Sequence, residues 1–171
     1  MADDPRPYRS AAGAAVFGPD GRVFLGRRLR GQVGTWQMPQ GGIDAGETPL
    51  EAARRELAEE TGIIAVSLLA EHPDWLTYEL PPDLDPPPRW ADRYRGQRQR
   101  WFAFRYDGRD ADIDLATEHP EFDAWRWATL DEAVAAVVAF KRPVYEALAM
   151  AFAPIAARLA AGHDASPSDR A

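Results

Sequence analysis

Three glutamates stand one helical turn apart in the run Arg55-Glu56-Leu57-Ala58-Glu59-Glu60-Thr61-Gly62-Ile63. A glycine-rich stretch, Gly41-Gly42-Ile43-Asp44-Ala45-Gly46-Glu47, leads into them. Residues three and four apart share a helix face, so Glu56, Glu59 and Glu60 project together. Like charges so placed repel, and a cation relieves the repulsion. Hard oxygen donors in this number suit Mg2+ or Mn2+. Metal-bound carboxylates beside a loop that can accommodate phosphate are the equipment for cleaving a phosphoanhydride. The competing reading is a solvated surface helix whose glutamates pair with Arg54 and Arg55. Gly41, Gly46 and Glu47, placed just ahead of the helix, favour the metal site.

The helix that positions the glutamates carries its own start and stop signals. Thr48 is placed to cap it, Pro49 to take its first position and Glu51 to complete a capping box. Leu50, Ala53 and Leu57 form an apolar stripe suited to packing on a sheet, and Gly62 stands where a left-handed C-terminal cap is wanted. Upstream, residues 11–17 and 22–27 read as strands joined by the turn Gly18-Pro19-Asp20-Gly21. Residues 35–40 form a short extended lead into the glycine-rich stretch. Downstream, residues 63–71, 97–106 and 122–127 read as further strands, with Trp101, Phe102, Trp125 and Trp127 as core candidates. Pro81-Pro82 and Pro86-Pro87-Pro88 mark a loop between them. A second capping box, Thr129 to Glu132, opens a helix expected to run to about Ala139. Pro143 starts an Ala-rich helix ending near Gly162. Strands, helix, strands and terminal helices fit an α+β sandwich.

At 171 residues with 46% hydrophobic content, the chain is expected to form one domain with a real core. The expected division is a flexible N-terminus over 1–7, a single domain over 8–162 and a disordered tail over 163–171. There is no cysteine, which excludes disulfides and thiolate metal sites. No apolar run is long enough for a signal core or a membrane span, so a cytoplasmic protein without membrane association is expected; a monomer is the default expectation. The net charge of −7 argues against nonspecific nucleic-acid binding, yet net charge is not a local field. Arg27-Arg28-Leu29-Arg30 is basic. The segment from Arg89 to Arg105 interleaves six arginines with Trp90, Tyr94, Trp101 and Phe102. Its simplest reading is a strand with Trp101 inward and solvated arginines, Gln97 and Gln99 being the residues placed to face the site.

The stretch from Gly41 to Ile63 resembles the signature of the Nudix hydrolases at Gly41, Glu47, Arg55, Glu56, Leu57, Glu59, Glu60, Gly62 and Ile63. Mixed residue types over that span make the resemblance far more specific than a lone glycine motif. It implies a Nudix fold, a mixed β-sheet sandwiched between α-helices. Outside the signature, Thr35-Trp36-Gln37-Met38-Pro39-Gln40, residues 74–81, residues 96–102, Pro120-Glu121-Phe122-Asp123 and Phe140-Lys141-Arg142-Pro143 resemble one subgroup. These are the bacterial RNA pyrophosphohydrolases and the similar asymmetric dinucleoside tetraphosphate hydrolases.

The implied substrate is 5′-triphosphorylated RNA, converted to 5′-monophosphorylated RNA with release of pyrophosphate, which promotes RNA decay. The implied alternative is diadenosine tetraphosphate, split into ATP and AMP. The resemblance assigns metal binding to Glu56, Glu59, Glu60 and Glu121, with Mg2+, or alternatively Mn2+, as cofactor. Glu56 and Glu121 are the two candidates for the base that deprotonates water. Glu47 and Arg55 are implied to support catalysis by orienting the glutamates through charge-assisted hydrogen bonds. Arg9 and Lys141, with Gly41 and Gly42 of the loop, are implied to meet phosphate, and Arg28 with Phe140 to sandwich a base. Lys141 is the only lysine beside a wholly arginine complement, which fits a point charge kept for phosphate. Phe140 reads equally well as core between two helices. The chain departs from some RNA-acting members in its tail, which is nearly neutral rather than basic.

Overall fold

The computed structural model describes residues 3–163, so most of the tail expected to be disordered lies outside the described residues. The elements in chain order are β1 (Tyr8–Phe17), β2 (Val23–Arg28), β3 (Trp36–Gln37), β4 (Gln40–Gly42), α1 (Pro49–Thr61), β5 (Val66–Glu71), β6 (Leu76–Glu79), β7 (Gly96–Tyr106), β8 (Phe122–Ala128), α2 (Leu130–Ala136) and α3 (Arg142–Ala160). They form one mixed eight-stranded sheet with helices on both faces, the α+β Nudix architecture. No helix among the described residues is long and apolar enough to cross a membrane.

The parallel pair of β1 and β7, in register from Tyr8↔Gly96 to Phe17↔Arg105, is the axis of the sheet. On one side β4 pairs with β1 over Ala11, Ala12 and Gly13, and β2 joins β1 at Phe17↔Val23. Strands β3 and β8 extend that side through β2. On the other side β6 pairs with the first half of β7 and β5 with the second.

Side chains alternate across a strand, so the sheet builds two cores. Phe17, Leu25, Met38 and Trp101 face α2 and α3, where Leu148 and Phe152 meet them. Val16, Phe24, Phe104 and Phe122 face α1, packed by Ala53 and Leu57. Helix α1 begins and ends as its sequence demands. Thr48 accepts from the Glu51 N–H, Glu51 accepts from the Thr48 N–H, and Pro49 occupies the first turn. Gly62 closes the helix at φ 71°, a left-handed conformation costly for other residues.

Several expectations need correction. The helix opened by Thr129 stops at Ala136, not Ala139. A 3₁₀ turn, Ala139–Lys141, then leads into α3 and holds Phe140 and Lys141. Strand β6 was not expected and supplies Tyr78. Trp101 and Phe102 are core residues, but Trp125 and Trp127 are half-buried, packed on the rim of the α1-side core. Residues 3–7, placed in a flexible N-terminus, are tied to the segment before β7. Arg95 donates to the Asp4 carbonyl and to Asp3, and Arg6 donates to the Ala91 carbonyl.

Candidate active site

Glu56 and Glu60 project from α1 over β4, and the glycines of β4 make that approach possible. A Cβ on Gly41 would stand 2.1 Å from Cδ of Glu56, and one on Gly42 would stand 2.2 Å from a terminal nitrogen of Arg9. Close approach explains both glycines. Rather than an open phosphate loop, they form a short strand against which a carboxylate and a guanidinium are pressed.

Arg55 organises the glutamates from behind. Its guanidinium grips Glu47 through two bonds, Nε to Oε2 at 2.7 Å and Nη2 to Oε1 at 2.9 Å. Nη2 also donates to the Gly42 carbonyl, and Nη1 to Glu56 Oε1 at 2.8 Å and Glu59 Oε2 at 3.2 Å. This fork-on-carboxylate geometry is a strong form of ion pair. The Arg55 bonds hold Glu47 down at a pKa of about 2. Arg54 is not part of this network; it lies over the Phe104 ring.

Glu60 is the least compensated of the glutamates, with only the Gln40 backbone and the charge of Lys141 favouring its ionised form. It is buried, and its Oε2 has no hydrogen-bond partner among the described residues. Burial first, then the charges of Glu56 and Glu121, push its pKa well up. Burial also raises Glu56, against the pull of Arg55. A buried carboxylate with one oxygen unpartnered is expensive, and two further carboxylates beside it make it more so. A divalent cation on the cleft side of Glu60 is the natural remedy, so the donor set fits the hard metal that the sequence implies. Among the described residues, no three carboxylate or imidazole groups are already drawn together at metal-binding spacing. Arg55 is what holds Glu56 and Glu59 on its own side.

These groups open into a cleft of 570 Å³. It is lined by Glu56, Glu60 and Glu121, by Gly41 and Gly42, and by Arg9, Arg28, Phe140 and Lys141. Glu47, Arg55 and Glu59 lie outside it, the first two supporting Glu56 and the third mostly exposed. Lys141 is buried; its Nζ donates to Gln37 Oε1 at 3.0 Å and lies 5.4 Å from the Tyr78 ring centre. Burial and the charge of Arg28 lower its pKa to about 7, opposed by Glu60. Phe140 packs on the α3-side core and against Tyr78 at 5.6 Å, so it is a core residue and a cleft residue together.

The cleft floor is an amide relay. Trp101 Nε1 donates to Gln99 Oε1, and Gln99 Nε2 donates to both Gln97 and Gln40. Gln97 reaches the cleft; Gln99 supports it from below. Sequence reasoning missed Arg30, Tyr78, Arg89, Trp90 and His119 as cleft residues. Arg30 left a trace in the basic run, Arg89 and Trp90 in the arginine–aromatic segment, and Tyr78 within the matched residues 74–81.

The NUDIX domain model matches residues 7–148. The chain belongs to the Nudix family. Its chemistry is therefore hydrolysis of phosphoanhydride bonds, with dependence on a divalent metal as a general family property. It is 56% identical over 140 residues to the RNA pyrophosphohydrolase of Rhodospirillum rubrum, covering 82% of this Nudix chain and 84% of that protein. It is 53% identical over 152 residues to the RNA pyrophosphohydrolase of Caulobacter vibrioides, covering 88% of each. Among solved structures, a C. elegans Ap4A hydrolase binary complex superposes with a TM-score of 0.63 at 19% identity, covering 85% of this chain and 98% of that one. At that identity the likeness is one of fold.

Proposed function

We propose that this Nudix enzyme is an RNA pyrophosphohydrolase that converts 5′-triphosphorylated RNA to 5′-monophosphorylated RNA and pyrophosphate with Mg2+. We further propose that residues 8–162 act as a single domain, as a cytoplasmic monomer. One observation carries the substrate reading. Arg9, Arg28, Arg30 and Arg89 line the same cleft as Glu56, Glu60 and Glu121, and none of the four makes an ion pair among the described residues. Elsewhere in this acidic chain arginines such as Arg22, Arg27, Arg55, Arg95 and Arg100 are paired with carboxylates. Unpaired guanidinium groups around a carboxylate cluster suit a polyanion whose charge one end must hold and the other must help cleave. The RNA-acting relatives at more than half identity support the same choice.

Glu56, Glu60 and Glu121 would hold the cation from the cleft, joined by Glu59 on its release from Arg55; the cation would supply charge neutralisation on phosphate oxygens and a lowered pKa for water. The chain's own groups do the rest. Arg9 and Lys141 meet the phosphates, and Arg28 with Phe140 takes the base. Water attacks phosphorus, its proton passes to a carboxylate, and the bond to the departing pyrophosphate oxygen breaks. Arg55 binds Glu56 through Oε1, which leaves Oε2 as the accepting atom on that residue; Glu121 is the other acceptor in the cleft. Incubation with 5′-triphosphorylated RNA and Mg2+ should yield pyrophosphate and 5′-monophosphorylated RNA, and Glu56→Gln should abolish turnover with the fold intact. Near-native turnover by Glu56→Gln would refute the assignment.

A further inference from the structure

Between β6 and β7 the Pro-rich segment forms one wall of the cleft and carries aromatic groups that the chemistry does not use. The Arg9 guanidinium lies 5.6 Å from the centre of the Trp90 ring. Trp90 meets Tyr94 edge-on at 6.4 Å, and the Arg93 guanidinium lies 5.7 Å from the Tyr94 ring. Trp90 lines the cleft and the other two do not, so this ladder leads from inside the cleft to the surface outside it.

The wall is held in place by its backbone. Ala91 N–H donates to the Pro88 carbonyl, and Arg93 and Tyr94 N–H both donate to the Trp90 carbonyl. Leu80 N–H bonds to the Arg95 carbonyl, and Arg95 N–H bonds to the Pro7 carbonyl. Local acids are absorbed by other arginines: Asp4 by Arg6, and Asp3 and Glu79 by Arg95. Arg89 and Arg93 make no ion pair among the described residues. Asp83, Asp85 and Asp92 are exposed on the same segment, so charge alone would attract a polyanion weakly here. Stacking has to carry the contact.

We propose that Trp90, Tyr94 and Arg93 form a track for the nucleotides that follow the 5′ end of single-stranded RNA. Bases stack on the rings and on the Arg93 guanidinium plane, and phosphates meet Arg89 and Arg93. Such stacking is sequence-tolerant because every base presents a π-face, as an enzyme acting on many transcripts needs. A dinucleoside polyphosphate ends within the cleft, whereas an RNA must leave it, and this ladder is an exit already lined for bases. The track rests on the RNA reading above and makes substrate choice a matter of chain length.

The test compares kcat/KM on a triphosphorylated dinucleotide and on triphosphorylated RNA of about ten nucleotides, for wild type, Tyr94→Ala, Arg93→Gln and Tyr94→Phe. For Tyr94→Ala and Arg93→Gln, the loss on the longer RNA should exceed that on the dinucleotide by roughly tenfold, the size of one lost base–aromatic stack. Tyr94→Phe, which keeps the ring, should restore the longer RNA to near wild type. Equal losses on both lengths, or none on either, overturn the track while leaving the RNA reading standing. A wild-type enzyme that ignores RNA of both lengths overturns that reading, and the track with it.

Discussion

Replacing Gly41 with alanine should disable the enzyme without unfolding it. The added methyl would lie 2.1 Å from Cδ of Glu56 and 2.3 and 2.4 Å from its two oxygens. Unstrained contacts need about 3.5 Å, so the carboxylate must retreat by about 1 Å or more. The backbone itself does not object. Gly41 is not among the glycines with positive φ, and it stays paired with Ala12 in β4. Alanine also reduces the freedom of the unfolded chain, worth about 0.4–1 kcal/mol in its favour, which offsets part of the strain passed to the Arg55 network. Misplacing a catalytic group by about 1 Å costs on the order of a hundredfold in rate, or about 2.7 kcal/mol in the barrier. The assay is kcat on triphosphorylated RNA with Mg2+, alongside a thermal melt. Gly42→Ala is the companion, because its methyl meets Arg9 and should raise KM more than it lowers kcat. A Gly41→Ala enzyme with kcat close to wild type would show that Glu56 has no need of this position.

Glu47→Gln should weaken the protein near neutral pH by about 1–2 kcal/mol after allowance for solvent screening. The pKa of Glu47 falls from 4.5 unfolded to about 2 folded, so its contribution is full above 4.5 and lost as pH falls to about 2. Wild-type and variant stabilities, measured by urea unfolding, should therefore converge near pH 2, and a constant gap would refute the pairing. For Lys141 the sign is reversed. Its pKa is 10.5 unfolded and about 7 folded, so the unfolded chain binds more protons between these values and stability rises with pH across that window. Lys141→Met should flatten that rise; an unchanged slope would mean the buried ammonium is not what titrates. Mg2+ should raise the melting temperature of wild type and do so far less for Glu60→Gln. Without added metal, Glu60→Gln should be the more stable of the two, since it removes a buried carboxylate that stands beside two others and has one oxygen unpartnered. Equal Mg2+ shifts would exclude Glu60 as a ligand.

The parts of this molecule written in local chemistry were legible in its sequence. Thr48, Pro49, Glu51 and Gly62 delimit α1 because capping and left-handed closure are decided within a few residues. The pairing of Arg55 with Glu47 and Glu56 was implied by the family resemblance rather than by spacing, and the fold brings these groups to 2.7 and 2.8 Å. Long-range pairing was not legible. The segment Leu76–Glu79 is a strand only because β7 offers it an edge, and nothing inside it says so. The helix expected to reach Ala139 breaks earlier because Phe140 and Lys141 are drawn to Tyr78 and Gln37, residues far away in sequence. Likewise, Trp125 and Trp127 look like core by composition, but among the described strands β8 pairs with β2 alone, and this edge position leaves them half-covered on the rim. Gly41 and Gly42 read as a phosphate loop, whereas their tight contacts are with Glu56 and Arg9, partners that only the folded sheet provides.

The measurement that bears most directly on the central claim is a competition of 5′-triphosphorylated RNA against diadenosine tetraphosphate, with Mg2+ and both substrates in one reaction. The four cleft arginines that make no ion pair among the described residues, together with the stacking wall, predict a higher kcat/KM for RNA, with pyrophosphate as the product. Preferential conversion of the dinucleotide to ATP and AMP would contradict that account and make this a hydrolase of small nucleotides.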